Sequence, residues 1–240
     1  MRGPLIAMAL LARSAEVPVP LALAATIARA TPAAAGTCDL TVDGRHRDAR
    51  VFVDGDRFHI AILGPMGSPQ LVLRSDGIGL ALQQGAEQWV ATDASMALTD
   101  LALPTLADAA HLWWGRLPDR PLRGIVALPD GRAWVDLDTG QVALTAILDP
   151  SQGVVLVDVG PPGLPSIASL ARRGVPLSDS VSLDLAGLVH IDAHCTWTVG
   201  PVPASAFRLG AGPDVTTTPL TTLGRQALAE LAMLRARRQR

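Results

Sequence analysis

The stretch RVFVDGDRFHIAILGPMGSPQLVLRSDGIGLALQQ, residues 50–84, decides the fold. Its short apolar runs are separated by Asp-Gly dipeptides, which favour the tight turns of β-hairpins. Asp-Gly or Thr-Gly dipeptides recur along the chain at 54–55, 76–77, 130–131 and 139–140. The pattern predicts a mainly β, antiparallel sheet with strands at 50–53, 57–63, 70–74, 79–83, 88–92, 122–128, 132–136, 141–148, 154–159, 180–185 and 188–199.

Several of these predicted strands are apolar on both faces. In one run, Phe58, Ile60 and Ile62 alternate with a second set that includes Ala61 and Leu63. A sheet with one face in water needs only one apolar set. The second set therefore belongs to a core layer, to a partner interface or to a ligand site, and the sequence leaves these alternatives open.

Two segments have helical rather than strand periodicity. Leucines, alanines and tryptophans recur at helical spacing over 94–115, with a break at Pro104, which predicts a helical insertion in the sheet. The segment 221–240 predicts a C-terminal helix whose terminal arginines suit a helix C-terminus. The resulting fold class is mainly β (α+β), with a single domain at 38–210.

Composition excludes several classes of protein. The 240 residues include 22 acidic and 20 basic side chains, a net charge of −2, with no lysine, no tyrosine and three phenylalanines. Nucleic-acid binding needs a basic patch or stacking aromatic residues, so it is not expected. No apolar run reaches the length of a membrane-spanning helix.

The N-terminus predicts export. Arg2 precedes apolar runs at 4–12 and 17–27, and small residues follow at 33–36, which is typical of a secretory signal peptide over residues 1–35. The predicted location is the periplasm or the outer membrane. Peripheral or lipid-anchored membrane association fits this location.

The two cysteines, Cys38 and Cys195, allow three interpretations. Cys38 follows the signal region, where a cysteine can carry a lipid anchor. In an oxidising compartment the two can instead form a disulfide, provided that their Cα atoms come within about 7 Å. Two unrelated thiols are the third alternative, and the sequence does not decide among them.

Local motifs for covalent chemistry or metal binding are weak. His190 and His194 are the one pair with metal-like spacing, but on a strand they lie about 13 Å apart. Asp136 and Asp138 flank a predicted hairpin turn and are expected to face solvent. No nucleophile, base and orienting group can be nominated together. We expect no catalytic residue, no metal and no cofactor, and predict that the protein is not an enzyme.

Two motifs carry a resemblance to a known family. GPMG at 64–67 follows a predicted strand, and LWWGRLP at 112–118 ends the helical insertion. Together with DRFHIAIL at 56–63 and LPTL at 103–106, they resemble the lipoprotein-localisation (Lol) family, the outer-membrane lipoprotein receptor and its carrier-like relatives. The resemblance implies an unclosed antiparallel β-barrel, or half-barrel, in which a helical lid covers an apolar cavity for acyl chains.

The resemblance also implies a function and a set of site residues. In the family, the apolar residue of the hairpin loop protrudes and assists lipid transfer, and Met66 takes its place. The predicted ligand-binding set is Phe58, Ile60, Ile62, Met66, Leu73, Trp89, Leu112, Trp113, Trp114 and Trp134. The expected partners are acyl chains of lipoproteins or other lipids, transferred without bond chemistry. The alternative is an exported structural or interaction protein with no small-molecule cargo.

Overall fold

One antiparallel sheet dominates the computed structural model, which describes residues 31–92, 111–118, 120–138, 143–160, 166, 168–175, 177–185, 187–210, 215–220, 222 and 233. These described residues form fourteen strands. The strands are β1 (Ala34–Val42), β2 (Arg45–Asp54), β3 (Arg57–Leu63), β4 (Pro69–Asp76), β5 (Leu80–Gln84), β6 (Glu87–Ala91), β7 (Leu122–Ala127), β8 (Ala133–Asp138), β9 (Ala143–Asp149), β10 (Gly153–Gly160), β11 (Ala168–Arg173), β12 (Ser180–Leu185), β13 (Val189–Val199) and β14 (Thr216–Pro219).

The strand order divides the sheet into two halves. It runs β14-β6-β5-β4-β3-β2-β1-β13-β12-β11-β10-β9-β8-β7, so β1 and β13 meet in the middle. We call β1–β6 with β14 the N-terminal half, and β7–β13 the C-terminal half. Among the described residues β14 and β7 do not pair with each other, so the sheet is unclosed. The prediction of a mainly β protein with an unclosed antiparallel sheet is confirmed.

Three strands were not predicted, and each lacks the expected pattern. β1 overlaps the end of the predicted signal peptide, residues 1–35, and lies before residue 50, where the first predicted strand begins. β11 places Arg172 at a buried position, which interrupts the apolar set. β14 has the sequence TTTP and pairs with β6 in parallel at the sheet edge, where no apolar face is needed.

The cross-strand register defines an inner face that carries the core. Cys38 lies opposite Ala49 on β2 and Cys195 on β13, and Val53 lies opposite Phe58 on β3. Because side chains alternate along a strand, these pairs fix which residues share the inner face throughout the sheet. The buried apolar cluster consists mainly of inner-face residues from both halves.

The outer face of the N-terminal half is covered by the chain itself. After β13, residues 201–209 pass over β3 and β4 before the chain continues to β14. Phe207 is buried there, and the Ala206 carbonyl accepts a hydrogen bond from His59 Nδ1 at 2.8 Å. The Arg57 guanidinium lies 5.1 Å from the centre of the Phe207 ring. This covering segment supplies the second layer that the two-faced strands require.

Several predictions fall outside the described residues. Most of the helical insertion 94–115 does so, and only a helical turn at 111–113 is described. The C-terminal helix 221–240 is described at two positions alone. In the described part of the chain, no helix is long and apolar enough to cross a membrane.

Candidate functional site

A row of apolar side chains crosses the inner face of the N-terminal half. Neighbouring strands place Val51, Ile60, Leu73, Leu82 and Trp89 directly opposite one another in sequence, from β2 to β6. We call these five residues the apolar row. Val51 is buried, whereas the other four are only partly buried. At about 4.8 Å per strand, four strand spacings give the row a length of about 19 Å, comparable to an extended fatty acyl chain.

The inner face of the C-terminal half is packed much more tightly. Its apolar residues are at most 2% exposed over most of β8, β9 and β10, namely Val135, Leu137, Leu144, Ala146, Leu148, Val154 and Val157. Such burial is typical of a filled core, in which every apolar group already has protein contacts. The inner face is therefore closed on β8 to β10, whereas apolar residues on β3 to β6, and Leu183 on β12, remain partly buried.

Two tryptophans stand where the apolar row meets the junction of the halves. Trp197 on β13 lies opposite Gly36 on β1, which in turn lies opposite Val51. A Cβ at Gly36 would come within 2.5 Å of the Trp197 ring, so the indole needs glycine beneath it. Trp114 packs edge-on against Trp197, with ring centres 5.8 Å apart. The row thus continues into a pair of indoles that pack edge to face.

A buried polar network holds the segment 111–118 against the C-terminal half. Val154 donates its backbone N–H to the Gly115 carbonyl at 3.0 Å. Ser178 donates its hydroxyl to the Trp113 carbonyl at 2.8 Å and accepts a hydrogen bond from Arg172 Nε at 2.7 Å. These bonds fix the segment that carries both Trp113 and Trp114.

Arg172 is a buried cation at the centre of this network. It is 6% exposed, and it also donates to the carbonyls of Gln152, Val154 and Gly174. Burial lowers the pKa of Arg172 to about 10, and the charge of Asp179 opposes that shift. The guanidinium leaves no room for a side chain at residue 115, where φ is +76° and glycine is required.

Asp56 ties the same segment to the N-terminal half. Arg116 Nη1 lies 2.5 Å from its carboxylate and His111 Nε2 lies 3.3 Å from it. Partial burial would raise the pKa of Asp56, but the hydrogen bonds and charges of Arg116 and His111 outweigh it, so the pKa lies below its usual value. Asp56 lies in the β2–β3 turn, so 111–118 is held at that end of the strands.

Met66 lies at the opposite end of the strands. It occupies a single turn of 3-10 helix, Pro65–Gly67, between β3 and β4, with φ of +63°. Its side chain is fully exposed, at 102% of the reference area. The seven residues of β3, about 23 Å, separate this loop from Asp56.

The disulfide Cys38–Cys195 joins the two halves. The Cα atoms are 4.0 Å apart on β1 and β13, and 157 residues separate the two cysteines in the sequence. Of the three alternatives that the sequence leaves open, the structure has the disulfide, and Cys38 in this state has no free thiol for a lipid anchor. A groove of about 610 Å³ lies over this junction, lined by Asp39, Asp48, Arg50, Asp179 and His194 among others.

Most of the predicted ligand-binding residues lie together. Phe58, Ile60, Ile62, Leu73 and Trp89 share the inner face, and Leu112, Trp113 and Trp114 belong to or pack against its core. Trp134 lies apart from them, because its register neighbours Val126 and Ile147 are on the outer face. The sequence interpretation omitted Leu82 and Trp197. The alternations Leu80/Leu82 and Cys195/Trp197, taken with the register, are the signals that find them.

The histidine pair of β13 does not form a metal site in the described part of the chain. His190 Nε2 lies 3.0 Å from Asp192. His194 lies two residues further along the same strand, on the same face of the sheet. Among the described residues no three histidines, cysteines or carboxylates cluster as metal ligands would.

Comparisons with known proteins support the fold. No protein-family model matches the sequence, and the search of curated proteins gave no match. The crystal structure of a LolA-superfamily protein from Nitrosomonas europaea aligns with a TM-score of 0.50 and 11% identity, over 78% of this chain and 94% of that one. An outer membrane lipoprotein-sorting domain from Vibrio parahaemolyticus aligns with a TM-score of 0.45 and 10% identity, over 77% and 92%. On the alignment with the Nitrosomonas europaea protein, this chain has a LolA-like fold, as the sequence resemblance predicted.

Proposed function

We propose that this protein binds the acyl chains of lipids or lipoproteins on the inner face of its N-terminal half and carries or receives them in the cell envelope. The observation that supports this best is the apolar row. Ile60, Leu73, Leu82 and Trp89 are adjacent, apolar and only partly buried, although other inner-face residues are fully buried. Covering them with an acyl chain contributes about 0.8 kcal/mol for each methylene removed from water.

The proposed mechanism is transfer without covalent chemistry. The apolar row shelters the chain from water, and the cargo passes to whichever protein or membrane offers a deeper or drier apolar surface. The direction of transfer then follows from the difference between the two binding free energies. No nucleophile or acid–base pair is assigned to this mechanism, and it uses no cofactor.

Met66 is the proposed contact to a membrane or to a partner protein. A fully exposed methionine is unfavourable in water, and its side chain is flexible and apolar enough to enter a lipid surface or an apolar pocket. The backbone at Met66 is left-handed, with φ of +63°. Since the loop lies at the end of β3 away from Asp56, we propose that cargo enters or leaves at the Met66 end.

Export is proposed to involve a leader that ends before Thr31. The Thr31 carbonyl accepts the Gly55 N–H at 3.1 Å, the Ala33 carbonyl accepts the Gly200 N–H at 2.9 Å, and β1 begins at Ala34. Removal of all of 1–35 would take these contacts away. Mass analysis of the mature N-terminus tests this, and a start after Thr31 would contradict it.

Native mass spectrometry of the protein purified from its own envelope tests the binding proposal. We expect a lipid mass that is lost in Leu82→Glu, because a charge on the apolar row opposes binding. Gln83→Glu is the matched control, since residue 83 follows on the same strand but faces outward. Absence of lipid from the purified protein, together with failure to take up an acylated peptide, would favour a structural or interaction protein instead.

Met66→Glu tests the loop separately. We expect acyl binding to remain and transfer to acceptor membranes to fall, because the charge removes only the proposed contact. Met66→Leu should retain transfer. Equal transfer by Met66→Glu and the wild type would contradict this role and would mean that the loop only connects β3 to β4.

A further inference from the structure

Two arginines lie beside the Met66 loop. The last pairing between β2 and β3 joins Asp48 to Leu63, whereas β2 already begins at Arg45. Arg45 and Arg47 therefore lie past the paired part of β3, at the same end of the sheet as the loop. Since Arg47 directly precedes Asp48 and the loop directly follows Leu63, the Cα atoms of Arg47 and Met66 are on the order of 10 Å apart.

Both arginines project from the inner-face side of β2. Arg47 lies opposite Leu40 on β1, and Arg45 lies opposite Val42. Leu40 belongs to the buried apolar cluster, and residues directly opposite each other on paired strands project from the same face. Both arginines are exposed. They therefore border the Met66 end of the face on which we propose that acyl chains bind.

The positive charge of these arginines exceeds the negative charge around them. Neither arginine belongs to an ion pair in the described part of the chain. Asp39 and Asp48 lie on the outer face. Asp43, in the turn before β2, accepts the backbone N–H of His190 at 2.9 Å, and Glu87 lies four strands from β2, about 19 Å away. Two guanidiniums thus exceed the one nearby carboxylate, although the whole chain has a net charge of −2.

Apolar groups lie on both sides of the two arginines. Val42, Ile191 and Leu183 are directly opposite one another on β1, β13 and β12, and all three are only partly buried. On the other side, the Met66 side chain is fully exposed. Apolar groups that enter the acyl region while guanidiniums stay at the headgroups are typical of surfaces that bind anionic membranes. A bilayer accepts both kinds of group at once, whereas an acidic protein surface would also need an apolar pocket for Met66.

We infer that Arg45, Arg47 and Met66 form a docking surface for membranes that contain anionic phospholipids. The arginines contact the phosphate oxygens of the headgroups, and Met66 enters the boundary of the acyl region. The inference rests on the proposed function and adds a partner and an orientation to it, because the Met66 end of the inner face then opens onto the bilayer. An acyl chain passes between the apolar row and the membrane at this end.

Two kinds of vesicle test the docking surface with the full exported protein. One is dioleoylphosphatidylcholine alone, and the other also contains dioleoylphosphatidylglycerol, which is anionic. In flotation we expect stronger binding to the anionic vesicles, and about 1 M NaCl should remove the difference because the Debye length is then about 3 Å. Equal binding to both kinds, or binding to neither, would overturn the inference. The proposed function is overturned separately, by absence of lipid cargo from the same protein in native mass spectrometry.

The double variant Arg45→Gln with Arg47→Gln removes the charge and keeps polar side chains. We expect binding to the anionic vesicles to fall about fivefold for each arginine, and binding to the neutral vesicles to stay at the wild-type level. Arg50→Gln with Arg173→Gln is the matched control, because it removes the same charge from exposed arginines of the outer face. Equal losses in the two double variants would overturn the inference.

Met66→Ser tests the apolar part of the docking surface. We expect it to weaken binding to both kinds of vesicle by a similar factor, because it removes an apolar contact and no charge. Acyl cargo should remain in this variant and in both double variants, since none of them changes the apolar row. Wild-type vesicle binding by Met66→Ser would overturn the place of Met66 in this surface.

Discussion

The two halves of the sheet share a strand pattern but differ in how their inner faces are filled. In the C-terminal half, Leu144, Leu148 and Val157 are at most 2% exposed. In the N-terminal half, Ile60, Leu73 and Leu82 point to the same side of the sheet and remain partly buried. Apolar residues of the same size are thus closed into a core on β8 to β10 and remain available for contact on β3 to β5.

The difference arises from what lies on each face. The segment 111–118 is anchored to the C-terminal half through Val154 and Ser178, where it fills the inner face. In the N-terminal half the layer formed by 201–209 covers the outer face instead. Its inner face therefore keeps apolar area that another molecule can cover.

The largest effect is expected from cutting the bond that joins the halves. Reduction of Cys38–Cys195, or the double change C38S/C195S, should cost about 5 kcal/mol of unfolding free energy, because the bridge closes a loop of 157 residues. Urea unfolding with and without reductant measures this loss. Equal stability of the oxidised and reduced protein would show that strand pairing alone holds β1 to β13.

A matched pair of leucines compares the halves directly. Leu148→Ala should cost about 3 kcal/mol because it opens a cavity in a filled core, whereas Leu82→Ala should cost about 1 kcal/mol at a partly buried site. Acyl binding should show the reverse order, with the larger loss in Leu82→Ala. Equal destabilisation by the two changes would remove the distinction between a core face and a binding face.

The smallest effect is expected from pH, through the layer on the outer face. Burial lowers the pKa of His59, the hydrogen bond to Ala206 opposes this, and the charge of Arg74 adds to the lowering. Since the folded-state pKa lies below the unfolded value of 6.5, stability should fall as pH drops through 6.5 and level off below the folded pKa.

Thermal unfolding of His59→Gln between pH 7.5 and pH 5 measures this contribution. Its stability should depend less on pH than that of the wild type. The same change at the exposed His194 is the control and should leave the wild-type profile. Identical profiles for His59→Gln and the wild type would exclude this histidine as the cause.

The sequence predicted the sheet well, and most of the proposed site residues lie together in the structure. Hairpin dipeptides and alternation located most strands, and the motif at 64–67 indicated the exposed Met66. The register across strands could not be read from the sequence, so the alignment of Leu82 with Leu73 and Trp89 was missed and Trp134 was placed with residues of the other face. Such contacts depend on pairings between strands rather than on local pattern.

The buried polar groups were also beyond prediction. An arginine in β11 is expected at a surface, yet Arg172 is buried because carbonyls and the hydroxyl of Ser178 accept its hydrogen bonds. These acceptors come from two segments of the chain, the start of β10 and the loop that follows β11. Which carbonyls and hydroxyls meet at Arg172 depends on the tertiary structure and cannot be read from the local sequence.

A spin-labelled fatty acid tests the central claim most directly, because it reports where the cargo lies. With stearic acid labelled on its chain, the methyl resonances of Ile60, Leu73 and Leu82 should broaden at stoichiometric ligand, and those of Leu144 and Leu148 should remain sharp. Broadening confined to the N-terminal half would support an acyl-binding row beside a closed core. Equal broadening in both halves, or none in either, would contradict it.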